Sequence, residues 1–224
     1  MENEKIYVFD AYGTLFDVDH ACKEMAIQLG DNWDKLSSIW RQKQLEYSWL
    51  YNSMNKYDSF WKITKDSLGY AMNSLSIYSV KTKHELLDLY FKIGAFEEVE
   101  EVLKKIKKNK IKTAILSNGS YDMLNSAVKN SKFDELISEV ISVDECKKFK
   151  PHRDVYNLVI DKFNINKKNC IFFSSNCWDI HGASNFGFKT IWVNRKKLGD
   201  EYLPGIVDLQ VNNLNEFLQK NHIL

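Results

Sequence analysis

The segment Ile6-Tyr7-Val8-Phe9-Asp10-Ala11-Tyr12-Gly13-Thr14-Leu15-Phe16 decides the fold class of this chain. Its first residues are β-branched or aromatic, which predicts a strand over roughly 5–10. The strand ends in a carboxylate, Asp10, and a turn that contains Gly13 follows it. Open parallel sheets place their functional groups at the carboxyl ends of the strands, so we expect Asp10 to lie in a functional cleft.

The residue two positions after this carboxylate, Tyr12, narrows the chemistry of the cleft. An enzyme that transfers phosphoryl groups through Asp10 would need a second acid at position 12 to protonate the leaving oxygen. A halide ion is a weak base and leaves without a proton. A nucleophilic carboxylate without an acid partner therefore indicates displacement at carbon rather than at phosphorus.

Length and composition indicate an ordinary globular protein. The chain has 224 residues, of which 44% are hydrophobic and 27% charged. Its net charge of +1 creates no overall field for nucleic acid or an anionic membrane, so neither partner is expected. No apolar run approaches the ~20 residues of a membrane span, and the N-terminus shows no signal-peptide pattern. The chain has four cysteines that form no C-x-x-C pair, namely Cys22, Cys146, Cys170 and Cys177. The expected compartment is a reducing cytoplasm.

Helical and strand patterns divide the chain into two parts. The first predicted strand is followed by four helical stretches without a strand, over roughly 19–29, 33–52, 58–70 and 79–92. Beyond them, helices near 97–108, 121–130, 153–163 and 178–185 alternate with strands near 112–116, 138–143, 170–173 and 189–193, and a short strand near 207–211 precedes a closing helix. This alternation predicts an α/β fold with a mostly parallel sheet. The helical block predicts an inserted all-helical cap, so we expect a core domain of residues 1–16 and 94–224 and a cap domain of residues 17–93.

Polar residues follow several predicted strands, and a parallel sheet would gather them at one edge. A Ser-Asn-Gly turn after a strand, or a lone acid at the start of a helix, is by itself more often structural. Their occurrence together, in order and at strand ends, predicts a site in a cleft. The segments are Asp10 to Thr14, Ser117-Asn118-Gly119-Ser120, Lys147-Lys148-Phe149-Lys150-Pro151 and Ser174-Ser175-Asn176-Cys177-Trp178-Asp179.

The predicted cap contains a cationic side chain, Arg41, that could line the same cleft. Arg41 and Leu45 are four residues apart and share a helix face. A helical arginine more often forms a surface salt bridge, and both interpretations of Arg41 stay open at this point. Phe60 is more often a core residue, whereas Trp178 lies inside a polar loop.

At these residues the chain resembles the haloacid dehalogenase superfamily, and within it the L-2-haloacid dehalogenases. The resemblance covers nearly the whole chain. Its most specific motifs are the segment from Phe9 to Val18 and Ser-Ser-Asn-x-Trp-Asp at 174–179, whereas Ser-Asn-Gly at 117–119 is weak because phosphatases share it. The remaining matches are Trp40-Arg41, Lys43-Gln44-Leu45-Glu46-Tyr47, Phe60-Trp61, Lys150-Pro151 and Phe186-Gly187-Phe188.

The resemblance implies a Rossmann-like core with helices on both faces, a helical cap, and a cytoplasmic homodimer. It implies hydrolysis of short 2-haloalkanoic acids, with (S)-2-haloacids as the expected substrates, to 2-hydroxy acids with inversion. Haloacid and halide are the expected small-molecule partners. No cofactor or metal is expected.

The resemblance also implies a role for each matching residue. Asp10 would be the nucleophile that forms an ester intermediate, and Asp179 would activate the water that hydrolyses it. Thr14, Lys150, Ser174 and Asn176 would position Asp10, whereas Tyr156 would either support the structure or act directly. The expected substrate contacts are Arg41 and Asn118 around the halide with Phe60 and Trp178 nearby, and Ser117 with the backbone of Ala11 and Tyr12 around the carboxylate. Leu45 is a further expected substrate contact.

Two other functions remain as alternatives. A Mg²⁺-dependent phosphatase on the same fold would usually need two carboxylates on the last loop beside Asp10 and an acid at position 12, where the chain has only Asp179 and Tyr12. A catalytically idle binding scaffold would be expected to have lost a site residue. Halide release, phosphate release or neither distinguishes the three.

Overall fold

The computed structural model describes residues 5–220, and a six-stranded parallel sheet forms its centre. The strands are β1 (Ile6–Phe9), β2 (Lys112–Ser117), β3 (Glu139–Ser142), β4 (Cys170–Ser174), β5 (Lys189–Val193) and β6 (Leu209–Val211). The helices are α1 (His20–Glu24), α2 (Ala26–Leu29), α3 (Trp33–Ser53), α4 (Phe60–Ser74), α5 (Val80–Phe91), α6 (Val99–Lys108), α7 (Tyr121–Asn130), α8 (Arg153–Phe163), α9 (Cys177–Phe186) and α10 (Leu214–Lys220). The strand order is β3-β2-β1-β4-β5-β6, so the prediction of an α/β fold with a parallel sheet is confirmed.

The first strand occupies the middle of the sheet and explains why its sequence is apolar throughout. All four residues of β1 are buried, so both faces of the sheet are covered at this point. Aromatic rings fill one part of the core, where Phe9 stacks on Phe173 with ring centroids 4.6 Å apart. Phe217 of α10 meets the edge of the Phe173 ring at 4.7 Å, which packs the last helix onto the sheet.

Strand register brings the predicted polar loops to one edge. Phe9 pairs with Ile115 of β2 on one side and with Phe173 of β4 on the other. The residues that follow these positions therefore leave the sheet at the same level, and they include Asp10, Ser117 and Ser174. The sheet thus builds the cleft that the sequence predicted at its carboxyl edge.

Five helices, α1 to α5, lie between β1 and α6, and the described residues of this stretch form no strand. The longest, α3, packs against α4. Side-chain caps begin two of them, because Ser59 accepts from the Lys62 N–H at the start of α4 and Ser79 accepts from the Thr82 N–H at the start of α5. That residues 17–93 form a separate cap domain remains a prediction.

Several predicted boundaries differ from the structure. The predicted helix over 19–29 is two helices, because the chain leaves helical geometry at Met25. The predicted helix over 58–70 continues to Ser74 as α4, although Gly69 lowers helix propensity there. Buried Ala71 and Met72 pack in the core, so tertiary burial outweighs the local preference.

No helix among residues 5–220 combines the length and hydropathy that crossing a bilayer requires.

Candidate active site

Asp10 lies at the centre of the site, directly after β1, and only 6% of it is exposed. Its backbone N–H donates to the Phe173 carbonyl at 2.8 Å, which ties the end of β1 to β4. Four side chains donate hydrogen bonds to its carboxylate and hold it in one orientation. They are Lys150 Nζ on Oδ1 at 3.0 Å, and on Oδ2 Asn176 Nδ2 at 2.8 Å, Thr14 Oγ1 at 3.3 Å and Ser174 Oγ at 3.4 Å.

The backbone of the loop after β4 orients the two hydroxyl donors. Thr14 Oγ1 accepts from the Ser175 N–H at 2.8 Å, and Ser174 Oγ accepts from the Asn176 N–H at 3.1 Å. A hydroxyl that accepts one hydrogen bond has its single proton free for another partner. Each proton is therefore directed to Asp10, and the loop over 174–176 determines how the carboxylate is held.

Lys150 bridges two buried carboxylates. Its ammonium lies 3.0 Å from Asp10 Oδ1 and 2.9 Å from Asp179 Oδ2, and it is 1% exposed. Burial lowers the pKa of Lys150, but the charges of Asp10 and Asp179 together raise it above its ordinary value. The lysine is therefore a permanent cation at neutral pH. Its backbone N–H donates to Asn118 Oδ1 at 2.9 Å, which links it to the loop after β2.

Asp179 is fully buried in the first turn of α9 and makes two side-chain hydrogen bonds. Besides the contact with Lys150, its Oδ1 accepts from the Tyr156 hydroxyl at 2.8 Å. Burial raises the pKa of Asp179 to about 6; the Asp10 charge adds to this rise, whereas Lys150 and Tyr156 oppose it. A carboxylate that titrates close to neutral pH suits proton transfer.

Arg41 reaches the same site from α3. Its Nη2 donates to the Tyr12 carbonyl at 3.3 Å and to Asn176 Oδ1 at 3.4 Å, and its Nη1 donates to Gln44 Oε1 at 2.8 Å. Within residues 5–220 it makes no ion pair with a carboxylate. The alternative of a surface salt bridge is therefore wrong for the described chain, and the guanidinium is free to face an anion.

These groups surround a small cavity of about 10 Å³. A volume of that size holds about one water molecule, so a larger ligand must displace part of the wall. The wall combines charged, polar and apolar side chains. Its members are Asp10, Tyr12, Arg41, Leu45, Phe60, Ser117, Asn118, Lys150, Asn176 and Trp178.

The structure brings nearly all of the predicted site residues together. Every predicted substrate contact lies in the cavity wall except Ala11, which is buried beside Asp10 and whose carbonyl accepts from the N–H groups of Leu15 and Phe16. Ser117 lies in the wall and its hydroxyl accepts from the Gly119 N–H at 3.1 Å. Their roles in catalysis and binding stay predictions.

One polar residue of the site had no predicted role. Gln44 is 1% exposed and accepts a hydrogen bond from Arg41, although it was predicted only as part of a motif and without a function of its own. Its spacing of three residues from Arg41 was the available signal, because residues at that spacing share a helix face.

Metal-ligating residues do not cluster in the described chain. No group of three or more His, Cys, Asp or Glu side chains among residues 5–220 is arranged to hold a metal ion. Between the two site carboxylates, Asp10 and Asp179, lies the ammonium of Lys150.

Comparisons with known proteins agree with this geometry. The sequence model of the haloacid dehalogenase-like hydrolases matches residues 4–187. The (S)-2-haloacid dehalogenase 4A of Burkholderia cepacia is 39% identical and aligns with 93% of this chain and 91% of its own length. A solved dehalogenase superposes with a TM-score of 0.94 at 37% identity, covering 98% of both chains. The L-2-haloacid dehalogenase of Xanthobacter autotrophicus with chloropropionic acid covalently bound has a TM-score of 0.87 at 30% identity and also covers 98% of both chains.

Proposed function

Because this chain belongs to the haloacid dehalogenase-like hydrolases, we propose that it hydrolyses short 2-haloalkanoic acids, preferentially the (S) enantiomers, to 2-hydroxy acids. The observation that carries the proposal is the buried Asp10 carboxylate, which Lys150 and three neutral donors hold in a cavity that Arg41 also lines. Tyr12 stands where the phosphatase alternative needs an acid.

The first step is displacement at carbon. An oxygen of Asp10 attacks C2 of the substrate from the face opposite the halogen, a carbon–oxygen bond forms, and the carbon–halogen bond breaks with its electron pair leaving on the halide. Inversion at C2 follows from this direction of attack. Negative charge develops on the halide, and Arg41 with the Asn118 side chain stabilises it, while Phe60 and Trp178 exclude water.

The substrate carboxylate needs a second set of donors. Ser117 and the backbone N–H groups of Ala11 and Tyr12 hold it at the other end of the cavity. The cationic Lys150 adds a favourable charge for an anionic substrate. With the carboxylate and the halide held at separate ends, the two enantiomers differ in which of the remaining positions at C2 carries the alkyl group, so the cavity wall beside C2 would select one of them.

The second step releases the product. Asp179 takes a proton from a water molecule, and the water oxygen attacks the ester carbonyl carbon of Asp10. The bond between that carbon and the former Asp10 oxygen, now attached to C2, breaks, and this oxygen takes the proton from Asp179. The 2-hydroxy acid leaves with the inverted configuration, and Asp10, which now carries the water oxygen, releases the second water proton to solvent. This role of Asp179 is supported by the ammonium of Lys150, which contacts both Asp179 and Asp10 and so keeps the two carboxylates near each other.

We expect halide release from (S)-2-chloropropionate by the purified protein in the presence of EDTA, with little from the (R) enantiomer. The measurement is halide titration together with chiral analysis of the lactate formed, which should be (R). Fluoroacetate and chloroacetate beside it would rank the halogens. Phosphate release from p-nitrophenyl phosphate only with Mg²⁺, without halide release, would replace the proposal by the phosphatase alternative.

The pH dependence of ester hydrolysis should report on Asp179. Its carboxylate must be ionised to accept a proton from water, so the rate of this step should rise with pH through the pKa that Asp179 has in the ester. That pKa lacks the contribution of the Asp10 charge, which helps to raise it to about 6 in the free protein. Tyr156→Phe removes a hydrogen bond that lowers this pKa, so the rise should move to higher pH. Rapid-quench measurement of ester decay across pH tests this expectation.

The Tyr156 ring packs against Phe172, Phe186 and Phe188, so phenylalanine keeps these contacts and the variant should fold. An unchanged pH profile in a folded Tyr156→Phe protein would contradict a role of Asp179 as the base.

We further propose that residues 17–93 act as a cap domain that moves to admit substrate, since the volume of the cavity is only about 10 Å³. A homodimer in the cytoplasm fits the remaining features. All four cysteines are free thiols, as a reducing compartment favours. Leu50, in the last turn of α3, and Met54, directly after this helix, expose 47% and 58% of their surface and offer apolar contact area.

A further inference from the structure

Gln44 is buried in the cap side of the site with both polar atoms of its side chain engaged. Oε1 accepts from Arg41 Nη1 at 2.8 Å, and Nε2 donates to Thr64 Oγ1 at 2.7 Å. The Tyr90 hydroxyl lies 3.2 Å from Nε2 and 3.3 Å from Oε1. A buried amide with this many partners holds one orientation.

Hydrogen-bond chemistry determines which way the amide faces. The Thr64 hydroxyl donates its single proton to the Phe60 carbonyl at 2.7 Å, so its oxygen must accept from Gln44. The amide nitrogen of Gln44 therefore faces Thr64, and the amide oxygen faces Arg41. A helix contact fixes Thr64 in turn, because Trp40 Nε1 donates to its carbonyl at 2.9 Å.

The same network reaches the cavity wall on a second side. The Tyr90 ring stacks on the Tyr12 ring with centroids 5.7 Å apart and an angle of 7°. Arg41 Nη1 donates to Gln44, and Arg41 Nη2 donates to the carbonyl of Tyr12, the residue whose ring stacks on Tyr90. Both nitrogens of the guanidinium are therefore connected to the same network.

The chemical nature of the Arg41 partners matters as much as their position. Gln44, Tyr12 and Asn176 offer neutral oxygens, and no carboxylate pairs with Arg41 within residues 5–220. A carboxylate at position 44 would hold the guanidinium equally well, but it would compensate the positive charge. A neutral acceptor orients the cation and leaves its charge available to an anion.

We infer that Gln44 is a positioning residue that fixes Arg41 against the departing halide without neutralising it. This inference rests on the proposed dehalogenation. It names the residue that determines how strongly Arg41 stabilises the departing halide. Thr64 and Tyr90 fix Gln44, and Gln44 acts on the reaction only through Arg41.

Gln44→Met tests the inference because methionine has a similar shape and no hydrogen-bonding amide. We expect kcat for 2-chloropropionate to fall by about tenfold to a hundredfold, since misplacing a catalytic group by ~1 Å has effects of this size. The loss should be smaller for 2-bromopropionate, because bromide leaves more readily and depends less on Arg41. Gln42→Met is the matched control, since Gln42 is exposed on the same helix and should retain wild-type rates and stability.

Gln44→Glu separates position from charge. Glutamate keeps an oxygen acceptor for Arg41 and compensates its charge. Its second oxygen faces Thr64, whose hydroxyl must turn its proton from the Phe60 carbonyl to the new carboxylate. We expect lower kcat and weaker inhibition by added bromide in this variant. Wild-type kcat in both folded variants, with only a lower melting temperature, would reduce Gln44 to a structural residue and overturn the inference.

A double-mutant cycle then tests whether Gln44 acts through Arg41. In an Arg41→Ala background, Gln44→Met should leave the single-turnover rate unchanged, because the group it positions is gone. A further loss of the full tenfold or more in that background would contradict the inference.

A second readout needs no activity and separates failure of this inference from failure of the proposed function. The sequence holds three arginines, Arg41, Arg153 and Arg195, so their side-chain Nε–H signals can be assigned by substitution in ¹⁵N NMR. The Arg41 signal should show a rigid guanidinium in the wild type and a mobile one in Gln44→Met. Equal rigidity in both would overturn the inference, whether or not the protein releases halide.

Discussion

Replacing Asp10 by Asn should reduce multiple-turnover halide release by at least about 10⁴-fold, as expected when a covalent nucleophile is removed. The amide is neutral and a poor nucleophile, so no ester with C2 can form. The side-chain nitrogen of the new asparagine is a donor, and it must face another donor in either orientation of the amide. The reason is that Lys150 donates to one carboxylate oxygen of Asp10 and Asn176 to the other. We therefore expect a modest loss of stability of about 1–3 kcal/mol beside the loss of activity.

Halide release with (S)-2-chloropropionate and thermal unfolding measure the two effects separately. Asp34→Asn is the matched control, because Asp34 is exposed at the start of α3 and the same substitution there should leave activity unchanged. Undiminished turnover by a homogeneous Asp10→Asn protein would eliminate Asp10 as the nucleophile.

Replacing Lys150 by Met should affect stability and activity together. The substitution leaves Asp10 and Asp179 buried without their shared ammonium. Breaking a buried ion pair in this way destabilises proteins by about 3–5 kcal/mol. The rate should fall by at least about 10²-fold, because the donor on Asp10 Oδ1 is lost.

The loss of stability in Lys150→Met should depend on pH. Lys150 lowers the pKa of Asp179, so its removal raises that pKa further above the unfolded value. A carboxyl group whose pKa is raised by folding binds its proton more tightly in the native state. Stability should therefore be best retained in acid and be lost as pH rises through about 6 and above.

Urea unfolding at several pH values measures this dependence. Lys148→Met is the control, since Lys148 lies two residues earlier and its ammonium donates a surface hydrogen bond to Asn55 Oδ1. Its effect should stay within about 0.5 kcal/mol at every pH. Equal stability losses in the two variants would show that the buried ion pairs of Lys150 with Asp10 and Asp179 contribute no more to stability than the surface contact of Lys148 does.

The sequence predicted the sheet well because its signals are local. Each strand is a short apolar run between turn residues, and each loop after a strand carries its polar residues in consecutive positions. The segment around Asp10 was therefore sufficient to predict that this residue lies at the carboxyl edge of the sheet. The helix boundaries were less certain, because burial of Ala71 and Met72 extends α4 past a glycine.

The contacts inside the site could not be read from sequence patterns. Lys150 meets Asp10 across 140 positions and Asp179 across 29 positions, and no periodicity relates such distances. Their positions after predicted strands placed them in one cleft, but only the resemblance to a known family implied that Lys150 positions Asp10. Gln44 shows the same limit, since its partners Thr64 and Tyr90 lie 20 and 46 positions away.

The most direct test of the proposed mechanism is a single turnover in water enriched in ¹⁸O, with enzyme in excess over (S)-2-chloropropionate. If Asp10 attacks C2, the hydroxyl oxygen of the first lactate comes from its carboxylate and is ¹⁶O. Mass spectrometry of the peptide containing Asp10 should then find one ¹⁸O in that residue. Lactate that carries ¹⁸O after the first turnover, with an unlabelled Asp10, would contradict the account, because water would then have attacked the substrate directly.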